Sequence, residues 1–498
     1  MKERIEILVK RPSDDHEVIV LGAGLGGLLA GALLSKNNHS VLLLKERDYQ
    51  TSCVIKGYRF IPFSNFSEKR LATGLLNKIS QVLPLPFVTE PQEKRKQSET
   101  FSEKSRSQTT FQVVLPKGRI DIFSQRLLFQ KEWEREFPKE VAQVETFYKE
   151  LEQIQTLSQE VKTKKNNPPF FPLQQRSSVK KIFSFDPFPK GILNQRLGPF
   201  SEAFKEFIRL QWISKGNLYS DQLSLSAAAH IFFDEAHELN STIDAEKLGK
   251  TLFKQFEQFG GKIEEVKGVK KVERGWRGGF TLSLEEEQKE FRSKLLIHNS
   301  PLYQLSNVMA ERKKEWSKWE EKIKPFYVMI PLFLGVREKV IPVGMKDLLV
   351  SIFDLEKPYE DGNVLFLSLS PKGDETQAPE GRRAITVESL MNWGKWDQAL
   401  LVDYQKGVMK HLTHLFPFLE DHIELMDLQW AIEHLPKWSY SHYFYKTFSD
   451  FYWREGVVPT RLSNHLYLVG KENFPYLGLE GELFSGWMAA QQILKKYS

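Results

Sequence analysis

Two short, uninterrupted apolar runs, Val18-Ile19-Val20-Leu21 and Val41-Leu42-Leu43-Leu44, lie near the start of the chain. Runs of this length, bounded by turn residues, read as buried strands. The first runs into Gly22, Gly24 and Gly27, a small-residue helix is expected after them, and the segment reads strand–turn–helix–strand. Gly57-Tyr58-Arg59-Phe60-Ile61-Pro62-Phe63 then turns into a further strand and loop. Residues 91–108 are polar and mixed in charge and read as an exposed hairpin tip or a disordered loop. Phe111 to Ile122 has the strand–turn–strand pattern of a hairpin about Pro116-Lys117-Gly118. Apolar residues recur at helical spacing from Gln130 to Lys162, and helices are expected from about Ser201 to Phe259.

The pattern then returns to β. Lys262–Val266, Gly268–Val272, a hairpin about Gly278-Gly279 and the buried strand Lys294–His298 follow one another, with a turn at Pro301. Further strands fill 326–370, a helix covers Asp403–Leu415, and the chain ends with the strand His465–Val469 and a helix from Gly481 to Lys496. Phe326–Val336 is the longest apolar stretch. It is well short of the ~20 residues that span a bilayer and reads as a buried strand. No internal repeat is visible.

Composition narrows the class. The chain has 498 residues, 41% hydrophobic and 27% charged, enough for two to three globular domains. A net charge of +6 over 70 basic and 64 acidic residues is too mild and too interspersed for a nucleic-acid partner. Cys53 is the only cysteine and the charged N-terminus has no signal-peptide core, so the expectation is a cytoplasmic protein. Phenylalanine is abundant, 36 against 15 tyrosines. Several lie among prolines and lysines in 166–200, as in Pro168-Pro169-Phe170-Phe171-Pro172. Proline excludes helix and sheet there, so this loop is either a peripheral membrane contact or mouth of an apolar tunnel, or a segment packed on a neighbouring domain.

The chemistry sits in the first βαβ. Gly22, Gly24 and Gly27 have the G-x-G-x-x-G spacing in the strand–turn–helix context that gives it meaning. Gly22 permits the tight turn, Gly24 lets backbone approach a pyrophosphate, and the helix N-terminus offers free N–H groups. A glycine-rich βαβ holding no nucleotide is the alternative. About 20 residues on, a carboxylate normally accepts from the adenosine ribose. Here Lys45 occupies that place and Glu46 follows it, on the opposite face of an ideal strand. Glu46 serves if the strand end bends; Lys45 either attracts a phosphate or is simply solvated.

These residues, with Phe259-Gly260-Gly261-Lys262-Ile263, Leu295-Leu296-Ile297-His298-Asn299-Ser300-Pro301 and Leu466-Tyr467-Leu468-Val469-Gly470…Phe474-Pro475-Tyr476-Leu477-Gly478-Leu479-Glu480-Gly481-Glu482-Leu483-Phe484-Ser485-Gly486, resemble the flavoprotein superfamily of phytoene desaturases, carotenoid isomerases and retinol saturases. The resemblance implies an α/β fold, an FAD-binding Rossmann-like domain of the glutathione-reductase type with an inserted α+β substrate domain. The FAD domain would comprise 1–85, 228–305 and 455–498, and the substrate domain 86–227 and 306–454. It further implies FAD chemistry, by hydride transfer or isomerisation, on a long apolar isoprenoid. Cofactor contacts would come from Gly22, Ala23, Gly24, Leu25, Gly26, Gly27, Lys45, Glu46, Arg47, Val269, Gly470, Lys471, Gly478, Leu479 and Glu480. The N–H groups opening the C-terminal helix would stabilise negative charge on the flavin.

The chain departs from the family pattern at Lys45, at the glycine pair replaced near Gln50-Thr51 or Thr51-Ser52, at Phe60-Ile61-Pro62-Phe63, near Ile243-Asp244, and at Gly470-Lys471-Glu472, where a Gly-Asp is usual. Lysine cannot accept from a ribose hydroxyl. The departures support a second reading, a cofactor-free lipid or partner binder on the same scaffold, as in the Rab GDP-dissociation inhibitors. No catalytic acid or base is nominated. His411 and His414 share a helix face without a third ligand, so no metal site is expected. Cys53 reads either as a reactive thiol or as a small buried hydrophobe. Trp212, Trp438, Tyr440, Tyr443, Phe444 and Tyr445 read as tunnel lining or as core.

Overall fold

In a computed structural model, the structure describes residues 15–47, 52–62, 73–85, 109–163, 192–232, 245–395, 401–435, 443–446 and 458–497, apart from 124, 217, 220–222, 224, 276–277, 286–288, 300, 310–312 and 321–323. The polar segment 91–108, residues 166–191 of the Phe/Pro-rich loop, Gln50-Thr51, Ile243-Asp244, Trp438 and Tyr440 lie outside them, while the rest of that loop, 192–200, holds a short helix, Leu193–Leu197, and a buried Phe200.

The strands in chain order are β1 (Asp15–Leu21), β2 (Val41–Glu46), β3 (Cys53–Ile55), β4 (Tyr58–Phe60), β5 (Thr109–Leu115), β6 (Gly118–Phe123), β7 (Leu218–Tyr219), β8 (Lys262–Val266), β9 (Val269–Arg274), β10 (Phe280–Leu284), β11 (Glu290–His298), β12 (Lys324–Arg337), β13 (Leu348–Ile352), β14 (Val364–Leu369), β15 (Arg382–Asn392), β16 (Ile423–Asp427), β17 (Tyr443–Lys446) and β18 (Leu466–Leu468). They form two large sheets. The first runs β8-β2-β1-β11-β10-β9, with β18 also on β11. Its β8, β2, β1, β11 and β18 pair in parallel, while β10 pairs antiparallel with both β11 and β9. The second runs β6-β5-β13-β14-β15-β12-β17-β7, with β16 on β12. This is the α/β architecture the resemblance implies.

The apolar runs end up in the middle of the first sheet. Val18 to Leu21 are fully buried between β2 and β11. The first helix, Leu25–Lys36, is buried from Gly26 through Ser35. It has no polar face because it is covered on every side. The sheet lies on one side, and the helix Ala245–Gln258 packs Phe256 against Gly31, whose added Cβ would lie 3.1 Å from that ring. The C-terminal helix, Leu479–Tyr497, comes closer still: a Cβ at Gly486 would sit 2.1 Å from the Gly26 carbonyl oxygen. Only glycine at both positions allows this backbone contact, which fastens the helix Leu479–Tyr497 to the first helix.

The antiparallel β3–β4 ribbon is a small sheet of its own that packs on the second large sheet. Phe60 stacks on Phe333 of β12 with ring centroids 4.6 Å apart. A Cβ at Gly335 of β12 would lie 2.6 Å from the Tyr58 ring. The Tyr58 hydroxyl donates to Glu424, which also accepts from Arg337 and Arg382. These donors hold the Glu424 carboxyl down at about 2, the Arg337 hydrogen bond contributing most. Lys324–Arg337 is a 14-residue strand, longer at both ends than the apolar pattern indicated, because β17 pairs with Lys324 and Pro325 at one end and β15 with Arg337 at the other. The helical expectation for 201–259 is interrupted by β7, two residues that are a strand only because β17 pairs with them.

Candidate functional site

Three parallel strands end together. Leu21 of β1 is level with His298 of β11, and His298 with Leu468 of β18. Crevices beyond the carboxyl ends of such strands are where ligands bind in open α/β sheets. Gly22 turns the chain out of β1 with φ +103°, and Gly24 caps the first helix in an extended conformation. A glycine cap has no side chain to receive the free N–H groups of the first turn, so they must be satisfied from elsewhere.

Two residues distant in sequence do this. The Gly27 N–H donates to Asn299 Oδ1 at 2.8 Å, and the Gly26 N–H donates to Glu482 Oε1 at 3.4 Å. Asn299 stands just past β11. Its own N–H donates to the Leu21 carbonyl at 2.8 Å, and its Nδ2 donates to the Val469 carbonyl at 3.1 Å. One residue, through its backbone and side chain together, thus ties the ends of β1, β11 and β18 to the helix. Ser485 Oγ, on the C-terminal helix, accepts from Gly470 N–H at 2.9 Å and donates to the Glu482 carbonyl at 2.7 Å. Glu472 accepts the N–H of Leu302 at 2.6 Å at the start of the helix Leu302–Val308. Burial pushes the His298 imidazole down to about 3, so it is neutral at physiological pH.

The glycine spacing therefore has a cause inside the protein. A Cβ at Gly24 would lie 2.7 Å from both Asn299 Oδ1 and Glu482 Oε1, and one at Gly26 would lie 2.7 Å from the Glu482 carbonyl oxygen. The approach that Gly24 was expected to open to a pyrophosphate is taken by these side chains.

Gly22, Ala23, Gly24, Leu25, Gly26 and Gly27 form this turn. At the end of β2, Lys45 turns to the neighbouring strand, where its Nζ meets Glu265 Oε1 at 2.9 Å. Glu46 is 4% exposed and points inward, so it is the buried carboxylate at this strand end. Arg47 continues the edge, its N–H donating to the Val266 carbonyl at 2.7 Å. Val269 follows three residues after Val266, the β8 partner of Glu46. Gly470 leaves β18 with φ +144°, with Lys471 next to it. Gly478 has φ +54°, and this reversal starts the C-terminal helix at Leu479, two residues earlier than the pattern indicated. Leu479 and Glu480 are buried in its first turn.

The other candidates fall elsewhere. Cys53 is half-buried, and burial pushes its thiol up to about 12, so it is no thiolate nucleophile. His411 is buried beside a cavity of about 370 Å³, and its Nε2 and Nδ1 meet Ser351 Oγ at 2.8 Å and the Gly362 carbonyl at 2.9 Å. Both ring nitrogens are used within the second sheet. Among the described residues no cluster of three His, Cys, Asp or Glu side chains is placed to hold a metal. Trp212 is core, as is Phe444, which pairs with Phe366. Sequence reasoning did not single out Asn299, Ser485 or Glu482 as anchors. The polar Asn299 directly after an apolar strand was the available signal.

The sheet order, the glycine turn and the C-terminal helix laid on it define the FAD-binding oxidoreductase fold. The chain belongs to the flavin containing amine oxidoreductase family, whose pattern matches residues 99–494. It is 23% identical over 547 aligned positions to the chloroplastic prolycopene isomerase of Daucus carota, covering 97% of this chain and 80% of that protein. Among solved structures it resembles an oxidoreductase from Methanosarcina mazei, with a TM-score of 0.55 and 15% identity over 95% of this chain and all of that one. It also resembles a putrescine oxidase solved with putrescine, with a TM-score of 0.59 and 12% identity over 97% of this chain and all of that one. At these identities the solved structures speak for the fold alone.

FAD fits the backbone of this site: a glycine turn at a helix N-terminus, a buried carboxylate closing β2, and a second helix starting at Leu479. Against it stands one group, the Glu482 carboxylate, at an N–H that a phosphate would otherwise take.

Proposed function

We propose that this FAD-dependent oxidoreductase acts as a desaturase, saturase or isomerase on a long apolar substrate of isoprenoid type. The observation that carries the reading is similarity to a prolycopene isomerase over 97% of the chain. FAD, when bound, supplies two-electron redox chemistry at its isoalloxazine ring.

In this reading the chain's own groups hold and polarise that ring. The turn from Gly22 to Gly27 carries the pyrophosphate on backbone N–H groups, with Ala23 and Leu25 as its non-glycine members. Glu46 accepts from the ribose, with Arg47 and Val269 beside it, while Lys45 stays on Glu265. Gly470 and Lys471 would also contact the cofactor, and the N–H groups around Gly478, Leu479 and Glu480, at the positive end of the C-terminal helix, would offer hydrogen bonds and a favourable dipole to negative charge on the flavin. No helix among the described residues is long and apolar enough to cross a membrane.

A second reading, a cofactor-poor binder of lipid or of a partner, is favoured by one observation: the N–H groups of Gly26 and Gly27 are already satisfied. The visible spectrum of the purified protein, before and after FAD, separates the two. Bands at about 370 and 450 nm that bleach on reduction support the oxidoreductase, and isoprenoid turnover then tests the substrate class. A colourless protein that ignores FAD refutes it.

A further inference from the structure

We propose that Glu482 is a built-in occupant of the dinucleotide's anion site and sets how weakly this chain holds FAD. The inference rests on the family reading, which makes this turn the pyrophosphate site, and on four observations.

The first is position. Glu482 Oε1 accepts the Gly26 N–H and would lie 2.7 Å from a Cβ at Gly24, so the carboxylate stands where a phosphate must approach the turn. The second is burial. Glu482 is 7% exposed, which leaves little water to screen its charge, and among the described residues it makes no ion pair with lysine or arginine. The third is rigidity. Its helix is pinned to the first helix by the Gly486–Gly26 backbone contact, so Glu482 can withdraw only by changing its own rotamer. The fourth is that the side chain completes the site without a ligand. Together with Asn299 it satisfies two N–H groups of a helix whose cap residue offers no side chain.

A carboxylate is favoured at a helix N-terminus for the same reason a phosphate is. The two anions compete for one place, and in a poorly hydrated site their mutual repulsion is weakly screened. A diphosphate must displace Glu482 before it can bind. Removing the charge while keeping the shape should therefore tighten binding of any ligand carrying a diphosphate. That is the reverse of what loss of a cofactor-contact residue does.

The test uses the full-length protein stripped of flavin, as wild type, Glu482→Gln and Glu482→Ala. FAD affinity is read by flavin fluorescence and ADP affinity by calorimetry, with thermal unfolding as the check on folding. Both variants are expected to bind FAD and ADP at least tenfold more tightly than wild type. Should Glu482→Ala fail to fold, the near-isosteric Glu482→Gln decides the matter. Tight FAD binding by wild type, with equal or weaker binding by folded variants, overturns the inference and leaves the family reading intact. No FAD uptake by any of the three folded proteins overturns both.

Discussion

Replacing Asn299 by alanine removes two hydrogen bonds that hold the end of the first sheet together. The Gly27 N–H loses its acceptor at 2.8 Å, and the Val469 carbonyl loses its donor at 3.1 Å. Loss of a cap-type bond to a helix N-terminus costs about 1 to 2 kcal/mol. Leaving the Val469 carbonyl without its donor adds about 1 kcal/mol. The sum, about 2 to 3 kcal/mol, is local to the turn, so hydrogen exchange of the peptide spanning Leu21–Leu28 is the sensitive assay. Protection there should fall roughly a hundredfold, with a smaller loss in melting temperature. Asn299→Asp separates the contributions. It keeps the acceptor for Gly27 and discards the donor to Val469, so it should retain most of the helix protection while loosening β18. Exchange in Asn299→Ala within threefold of wild type would refute the reasoning, since another group would then be capping the helix.

Three further outcomes follow from the same geometry. Burial holds the His411 imidazole at about 4, below the ~6.5 of the unfolded chain, so native His411 refuses a proton that the unfolded chain accepts. Its contribution is complete above pH 6.5 and falls by about 3 kcal/mol as the pH drops to 4; His411→Asn should flatten the urea-midpoint slope over that window by about one proton. Lys45→Met should leave FAD affinity within twofold of wild type, because Lys45 is committed to Glu265, whereas Glu46→Gln should weaken it about tenfold by degrading the ribose acceptor; parallel FAD titrations check both. Gly486→Ala drives a Cβ to 2.1 Å from the Gly26 carbonyl and should cost about 3 kcal/mol, read as a lowered melting temperature.

What the sequence disclosed divides along the range of the interactions. The strand–turn–helix–strand at the N-terminus was legible because its glycines, apolar runs and spacing all lie within 30 residues. The carboxylate at the end of β2 was not. Whether Lys45 or Glu46 points inward is settled by pairing with β8, some 220 residues away, where Lys45 finds Glu265. Asn299 and Glu482 were hidden for the same reason: the N–H groups they accept from are 272 and 456 residues distant. The motif announced a pyrophosphate turn, yet the same glycines are required by the protein's own side chains, a demand that spacing cannot distinguish from a ligand's. The two-residue β7 carries no pattern of its own and exists through its partner alone.

The backbone contact between Gly26 and Gly486 also bears on how the molecule comes into being. The first helix has no polar face, and one of its covers, the helix Leu479–Tyr497, lies far along the chain from it: 456 positions separate Gly26 from Glu482. Throughout translation of the intervening chain this apolar surface has no permanent cover, a period in which association with other chains competes with folding. Completion of the first sheet and its cover thus waits until β18 and the helix Leu479–Tyr497 have both been made. A chain cut short before Leu479 should accordingly be lost to aggregation or proteolysis as a whole.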